Sequence, residues 1–322
     1  MKKLIRSDKK EIATKVIFVL LFAVLVIYSL IMILSLLWGF ITSLKSTGDF
    51  EKLNNIMGLP NLDAGNYFNS RDAFFKLGNY KTVIDNFVVK QTSAYYGLGA
   101  EQIVHRCEAN FGEMLVNTLL YTVGGALIYA VMPAITAYLC AKYSYKLSAI
   151  LVTVYTLMMC MPIVGSAPFE LTFLRNVGMY DSILGNYVQK MTGGGMYFFV
   201  YLAYFKGTSE TYREAAQLDG ASQLRIMATI YFPLAVKIIA TVFLIQFVAL
   251  WNDYQTPLLY LPTHPTLAYG VYYVSFASYA RALHHTPLRI AGLMLLAIPI
   301  IILFAVFKDK LMGDISLGGI KE

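Results

Sequence analysis

The chain has 322 residues, of which 57% are hydrophobic and only 14% charged, and its mean hydropathy is +0.58. That length would ordinarily make about two soluble domains, but this composition excludes a water-soluble catalytic domain, a disordered chain and a disulfide scaffold, and points to a polytopic membrane protein. The formal charge of +7 has to be weighed against the charge asymmetry that every membrane protein carries before it implies a nucleic-acid partner.

The opening segment MKKLIRSDKKEIATK carries six Lys or Arg and leads into Val16–Ile41, 26 residues without a charge. A helix needs roughly 20 apolar residues to cross the hydrocarbon core. No small-residue cleavage site follows, so the pattern predicts a retained first span rather than a removed signal peptide. Next, 42–113 is polar and punctuated by Gly48, Gly58, Gly78, Gly97 and Gly99, with the aromatic stretches Asp72-Ala-Phe-Phe and Tyr95-Tyr96. A loop this long is usually functional, which predicts a small extracytoplasmic cap, the alternative being a solvated connection.

Hydropathy then predicts helix two over about Leu115–Leu139, helix three over Leu147–Phe169, helix five over Leu234–Trp251 and helix six over Ile290–Phe307. Helix four, Met196–Phe205, is short and follows Gly193, Gly194 and Gly195, and is assigned as a span by parity. Pro133, Pro162 and Pro299 interrupt spans, where bending during gating and an ordinary membrane-helix proline are both open. The expected organisation is a basic arm with helix one (1–41), the cap segment (42–113), a helical core (114–307) containing a cytoplasmic loop at 206–233, and a tail (308–322). Cys140 and Cys160 lie in or beside apolar segments and Cys107 stands alone, so no disulfide framework is implied.

With six spans and both termini cytoplasmic, the inner segments hold 15 basic and 8 acidic residues and the outer ones 11 of each. All the net charge then falls inside, as the positive-inside rule requires, and nothing remains to imply nucleic acid. The basic arm reads as a topology anchor drawn to anionic membrane lipid.

In the inner loop KGTSETYREAAQLDGASQLRIMATIYFP, Thr211 and Glu214 have capping-box spacing. A helix is predicted to start near Tyr212 and to stop at Gly220, whose freedom suits a left-handed closing residue. A second helix leads to Pro233. Ala215 and Ala216 offer a low-profile surface that a partner could approach closely, and the residues alone fit a plain amphipathic connector equally well. The string EAAQLDGASQLRIMATIYFPLA resembles the EAA loop of binding-protein-dependent ABC importers, matched at Glu214, Ala215, Ala216, Asp219, Gly220 and Pro233. That resemblance implies an all-α integral membrane protein of six transmembrane helices with the type I ABC importer permease fold, here with an enlarged outer segment between helices one and two. It also implies that the loop is a coupling helix seated in a cytoplasmic ATPase. The sequence has no GxxxxGK[ST] phosphate loop, so ATP and Mg are expected on that partner, with no cofactor and no catalytic residue on this chain.

The segment Ala249-Leu-Trp-Asn-Asp-Tyr-Gln-Thr-Pro-Leu-Leu resembles the outer end of helix five in carbohydrate permeases of the maltose-transporter second-subunit type. WGFITSLK at Trp38–Lys45, Val116-Asn-Thr-Leu and the ending GDISLGGIKE resemble further parts of that family, whereas Asn86–Glu113 is longer than its pattern. The resemblance implies a second permease subunit, an ATPase dimer, an extracellular solute-binding protein and the bacterial cytoplasmic membrane. Gln246, Trp251, Asn252, Asp253 and Tyr254 supply the amide, carboxylate and aromatic groups that a hydroxyl-rich solute needs. Two readings stay open for them: a substrate path or gate, or an interfacial aromatic belt with a structural carboxylate. Phe243 and Phe247 read as core, and His264, His284 and His285 lack metal-site spacing. The competing classes are a secondary transporter driven by an ion gradient and a membrane scaffold with an outer binding cap.

Overall fold

The computed structural model describes residues 2–52, 54–60, 76–96, 101–143, 145–160, 165–191, 195–276 and 283–312. The Asp72–Phe75 stretch, Gly97, Gly99, Pro162, Gly193, Gly194 and the ending GDISLGGIKE lie outside them. The chain forms two compact units, Met1–Asn86 with Ala280–Leu295, and Phe87–Tyr279 with Leu296–Glu322.

In the first unit, α1 (Lys2–Ser43) is a 42-residue helix whose apolar part, Thr14–Ser43, is long enough to cross a bilayer. Its side chains from Val16 to Leu36 are all exposed. A helix that is apolar all round and uncovered needs lipid or another membrane chain around it. Beyond a π turn at Gly48–Lys52 and α2 (Gly78–Asn86), this unit closes on the end of α1. The Lys45 ammonium donates to the carbonyls of Asn55 (2.7 Å) and Ile56 (3.2 Å), and the Trp38 indole also donates to Ile56 (2.9 Å). Asn79 donates to the carbonyls of Ser43 and Lys45, satisfying groups that the helix end leaves unpaired. The WGFITSLK stretch is thus a hydrogen-bonded knot that ends the span.

The second unit opens with an antiparallel hairpin, β1 (Val89–Tyr96) and β2 (Gln102–Ala109), in register from Val89 opposite Ala109 to Tyr96 opposite Gln102. It departs from the expected all-helical plan. The signal was present, since Val88, Val89, Thr92, Tyr95 and Tyr96 precede Gly-Leu-Gly, as a strand before a turn should. Asn110 then accepts from the Glu113 amide while Glu113 accepts from the Asn110 amide, both at 3.0 Å. This capping box starts α3 (Phe111–Lys142), a 32-residue span with a π turn at Leu120–Gly124.

Helix three is shorter than expected: α4 covers Lys146–Cys160, and a separate α5 (Ser166–Asn176) begins after Gly165, which has φ of +85°. Helices α6 (Ile183–Met191) and α7 (Gly195–Gly207) follow. Being 13 residues, α7 is about 20 Å long and too short to cross alone. After α8 (Thr211–Leu218) comes α9 (Gln223–Trp251), which starts well before the expected Leu234. A π turn at Met227–Tyr231 precedes Pro233. The widened turn accommodates a ring that would otherwise press on the Thr229 carbonyl and that brings no donor for it. Short helices α10 (Gln255–Tyr260) and α11 (Leu267–Phe276) lead toward α12 (Thr286–Met312). Four helices, α1, α3, α9 and α12, are thus long and apolar enough to span a membrane among the described residues. Pro133 and Pro299 sit inside helices.

The main core is the meeting of α3, α7 and α9. Ala126, Ala130, Ala134 and Ala137 are completely buried and form one face of α3 at three- and four-residue spacing. Of these, Ala130, Ala134 and Ala137 admit Phe198, Tyr201, Leu202 and Phe205 of α7 and Tyr231, Ala235 and Val242 of the α9 span. In lipid, where apolar surface gains nothing by leaving the solvent, such close packing supplies the association energy. Phe243 packs against this cluster and Phe247 is buried, as expected of core residues.

The hairpin is held to the helices by a buried carboxylate. Asp181, whose side chain has no exposed surface, accepts from the Thr263 amide (3.0 Å) and hydroxyl (2.8 Å), and the His105 and His264 rings each stand 3.6 Å from one of its oxygens. Tyr95 packs edge-on against Tyr180 at 4.7 Å, and Tyr273 donates to the Lys90 carbonyl. Burial alone would raise the Asp181 carboxyl, but bonds from His264 and Thr263 outweigh it and hold it below its ordinary value. A lowered carboxylate stabilises the fold above its unfolded pKa of about 3.9 and loses that contribution as pH falls through the folded value. The protection of the β2 amides, their exchange rate taken relative to that of unstructured peptide at the same pH, should therefore fall only below about pH 4, and Asp181→Asn should remove that acid step. Ala130→Leu should overpack the α3 face and cost about 1–3 kcal/mol, read as a lower melting temperature in detergent, whereas Leu127→Ala on the exposed side of α3 should change little.

Candidate functional site

Two regions lie at opposite ends of α9, which at 29 residues runs about 40 Å. At its start, α8 makes two turns and closes as the glycine pattern predicts. Gly220 takes φ of +76°, its amide donates to the Gln217 carbonyl (3.0 Å) and the Ala221 amide donates to that of Ala216 (2.9 Å). This paired closure satisfies carbonyls at the helix end. Ser222 then caps α9 by accepting from the Arg225 amide.

The expected capping box at Thr211 and Glu214 is not formed. Glu210 occupies the cap position in helical geometry, and the Thr211 amide donates to the Ser209 hydroxyl instead. The reason is a stronger claim on Glu210. Its carboxylate accepts from Lys142 at the end of α3 (2.9 Å) and from Arg213 (2.8 Å), which draws the helix start one residue earlier. Lys142, its side chain only 1% exposed, also donates to the Thr208 carbonyl (2.7 Å) and lies 4.9 Å from the centre of the Tyr231 ring. Tyr231 in turn donates to the Ser209 carbonyl. Burial would raise the Glu210 carboxyl, and hydrogen bonds from Arg213 and Lys142 more than offset it, leaving it below the ordinary value. This tie was missed because Lys142 and Glu210 are 68 positions apart and each alone looks like a surface charge.

Around that anchor the loop is bare. Glu214, Ala215, Asp219 and Gly220 are exposed, and Leu218 and Leu224 are 90% and 75% exposed. Ala216 differs from the expected pair: it packs against the core cluster, so only Ala215 belongs to the outward face.

At the far end of α9 the five candidate residues divide. Trp251 is buried, stacks on Phe247 at 5.6 Å and donates to the Leu296 carbonyl (3.0 Å). Asn252 is exposed and donates to the Val248 carbonyl, and Tyr254 stacks on Tyr272 at 4.6 Å. Gln246 and Asp253 instead share a cavity of about 430 Å³ with Tyr129 and Tyr197. Asp253 accepts from the Tyr121 hydroxyl (2.7 Å) and the Thr256 amide (3.1 Å) and also lines a neighbouring cavity of about 710 Å³. Sequence reasoning missed the second cavity's contributors from α5 and α6, Glu170, Gln189 and Lys190, which lie in what read as an outer loop.

The three expected non-ligand histidines have separate partners: His264 stands beside Asp181, His285 bonds Glu51 (2.9 Å) and His284 faces Arg289 (2.9 Å). No cluster able to hold a metal occurs among the described residues.

Comparison with known proteins places these features. The chain is 29% identical over 221 residues, 66% of its length and 77% of the relative's, to the probable starch degradation products transport system permease protein of Thermoanaerobacterium thermosulfurigenes. It is 22% identical over 306 residues, 92% of its length and 86% of the relative's, to the diacetylchitobiose uptake system permease protein of Streptomyces coelicolor. In fold it is similar to a chain of a bacterial ABC transporter involved in the import of the acidic polysaccharide alginate, with a TM-score of 0.67 at 22% identity, covering 91% of this chain and 96% of that one. Residues 131–311, which hold the end of α3, the exposed loop and all of α7 and α9, match the family model of binding-protein-dependent transport system inner membrane components, and the chain belongs to that family.

Proposed function

We propose that this chain is one of two permease subunits of a type I ATP-driven importer that translocates a carbohydrate or oligosaccharide delivered by an extracellular solute-binding protein. Both termini lie in the cytoplasm, in the bacterial cell membrane. ATP and Mg act on a partner ATPase dimer, and α8 is the coupling helix that carries its closure into the spans. The observation that carries this reading is the bare two-turn helix Thr211–Leu218, closed at Gly220 and running directly into a span. An exposed leucine at 90% on a helix anchored by buried charge fits a docking surface better than a solvated connector. The substrates for which the relatives are named, starch degradation products and diacetylchitobiose, support the sugar class.

In this mechanism Glu214, Ala215, Asp219 and Gly220 meet the ATPase, while Ala216 seats α8 on the core. Lys142 and Glu210 make α8 move with the end of α3, and the close α3–α7–α9 packing passes that movement on as rigid-body shifts. At the outer end Gln246 and Asp253 face the solute path. Trp251, Asn252 and Tyr254 brace or gate it.

The reconstituted complex of both permeases, ATPase and binding protein tests the assignment. Gly220→Val places a branched residue in left-handed backbone at a cost of about 1–2 kcal/mol, and with Glu214→Ala it should abolish uptake while leaving membrane insertion intact; normal uptake by both variants sinks the coupling role. Glu210→Gln should lower solute moved per ATP at neutral pH. In the parent protein the lowered carboxyl keeps the tie charged above the ordinary carboxylate pKa of about 4.3. Coupling limited by this group should therefore hold from pH 8 to about 5, and a loss across that window shared equally by Glu210→Gln would remove Glu210 from the mechanism.

A further inference from the structure

The larger outer cavity, about 710 Å³, falls within the roughly 300–1,000 Å³ typical of small-molecule sites. Its wall pairs an aromatic platform with a charged floor. Phe169 and Phe173, one turn apart on α5, are 73% and 52% exposed and both border it. Beside them, the Glu170 carboxylate accepts at one oxygen from Gln189 (2.6 Å) and from the Tyr260 hydroxyl (3.1 Å). Asp253, also in the lining, takes one bond at each oxygen, from Tyr121 and Thr256. A carboxylate offers about four acceptor positions, so both retain capacity for a solute hydroxyl.

Lys190 is the cation of this group. It is 3% exposed, donates to the Asn186 side chain and lies 4.4 Å from the centre of the Tyr121 ring. Burial pushes its ammonium down to about 8, opposed by Asp253, so it stays mostly protonated at neutral pH. The two carboxylates and one ammonium leave the recess with one net negative charge. Apolar ring faces beside hydroxyl acceptors and an amide suit a pyranose, whose C–H face stacks while its hydroxyls bond. A solute carboxylate would enter a half-buried site with two like charges, where repulsion is screened less than in water.

We infer that the Phe169–Glu170–Asp253 recess is a saccharide subsite on this chain that admits uncharged sugar units and rejects uronates. The inference rests on the importer reading and adds to it a location and a charge preference. The helix-five residues named from the sequence contribute Asp253 alone to it; the platform, Glu170, Gln189 and Lys190 come from α5 and α6, and hydroxyl groups of α3 and α10 complete the lining.

Saturation-transfer NMR on the purified transporter complex, without binding protein, tests it with three neutral probes, maltotriose, raffinose and N,N′-diacetylchitobiose, and one acidic probe, trigalacturonate. At least one neutral probe should gain signal from the protein, with trigalacturonate at least ten-fold weaker. Phe169→Ala with Phe173→Ala should reduce the neutral signal at least five-fold, and Glu170→Gln with Asp253→Asn should raise the trigalacturonate signal toward the neutral one. Because the carboxylate variants touch structural bonds, the single Phe173→Ala change, with co-purification of the complex confirmed, serves as a fold-neutral second variant and should also weaken the neutral signal. The subsite is overturned if no probe binds, if trigalacturonate binds as well as the neutral sugars, or if the phenylalanine variants bind unchanged. ATP-driven uptake by the parent complex is measured in parallel: its absence overturns the importer reading alone, and intact uptake with an unaltered neutral signal in the variants overturns the subsite alone.

Discussion

Everything in the second unit depends on how closely α3 can be approached. Fully buried Ala130, Ala134 and Ala137 on one face of that helix let the aromatic side chains of α7 and α9 lie directly against it. Without water to drive apolar surfaces together, this contact is the main source of cohesion inside a membrane. It also explains why α7, too short to cross by itself, keeps its position: Phe198, Tyr201 and Phe205 all lie at 0% exposure in the α3–α9 cleft. The same packing brings the end of α3 beside the start of α8, so that Lys142 can reach Glu210.

That charge tie and the 710 Å³ cavity share a physical logic. Each places a lysine at the protein interior, and each satisfies it with an acceptor and an aromatic face: Glu210 and Tyr231 for Lys142, Asn186 and Tyr121 for Lys190. A buried ammonium is costly unless so compensated. Each cluster includes a partner from another element, Glu210 and Tyr231 for Lys142 and Tyr121 of α3 for Lys190, so each is sensitive to relative helix movement.

The sequence carried the long elements well because 20-residue apolar runs have few alternatives. It carried the end of α8 because left-handed backbone at Gly220 has a specific residue requirement. It misled at Thr211 and Glu214, where the local spacing was right but a distant lysine decided the helix start; the same capping pattern did form at Asn110 and Glu113, where nothing competes. Trp251 and Asp253 sit two positions apart in one polar cluster, yet one is packed away and the other faces a cavity. Composition cannot separate them, since both types suit either role. The hairpin was hidden for another reason: its strands are half exposed, so their alternation is weak beside the hydropathy signal of the spans.

The π turn at Met227–Tyr231 has a consequence for how the two ends of α9 are phased. A π turn contains one residue more than the α turn it replaces, and one residue corresponds to roughly 100° of helix azimuth. The loop-side segment beginning at Gln223 is therefore rotated by about that angle, relative to Asp253, from where an unbroken α-helix would put it. The angular bearing between the exposed loop and the cavity at Asp253 is thus set by a single inserted residue beside Pro233. Torque applied at the loop meets the helix where its hydrogen bonds step from four-residue to five-residue spacing, so the span behaves as a rod with one torsional joint near its loop end rather than as a uniform shaft.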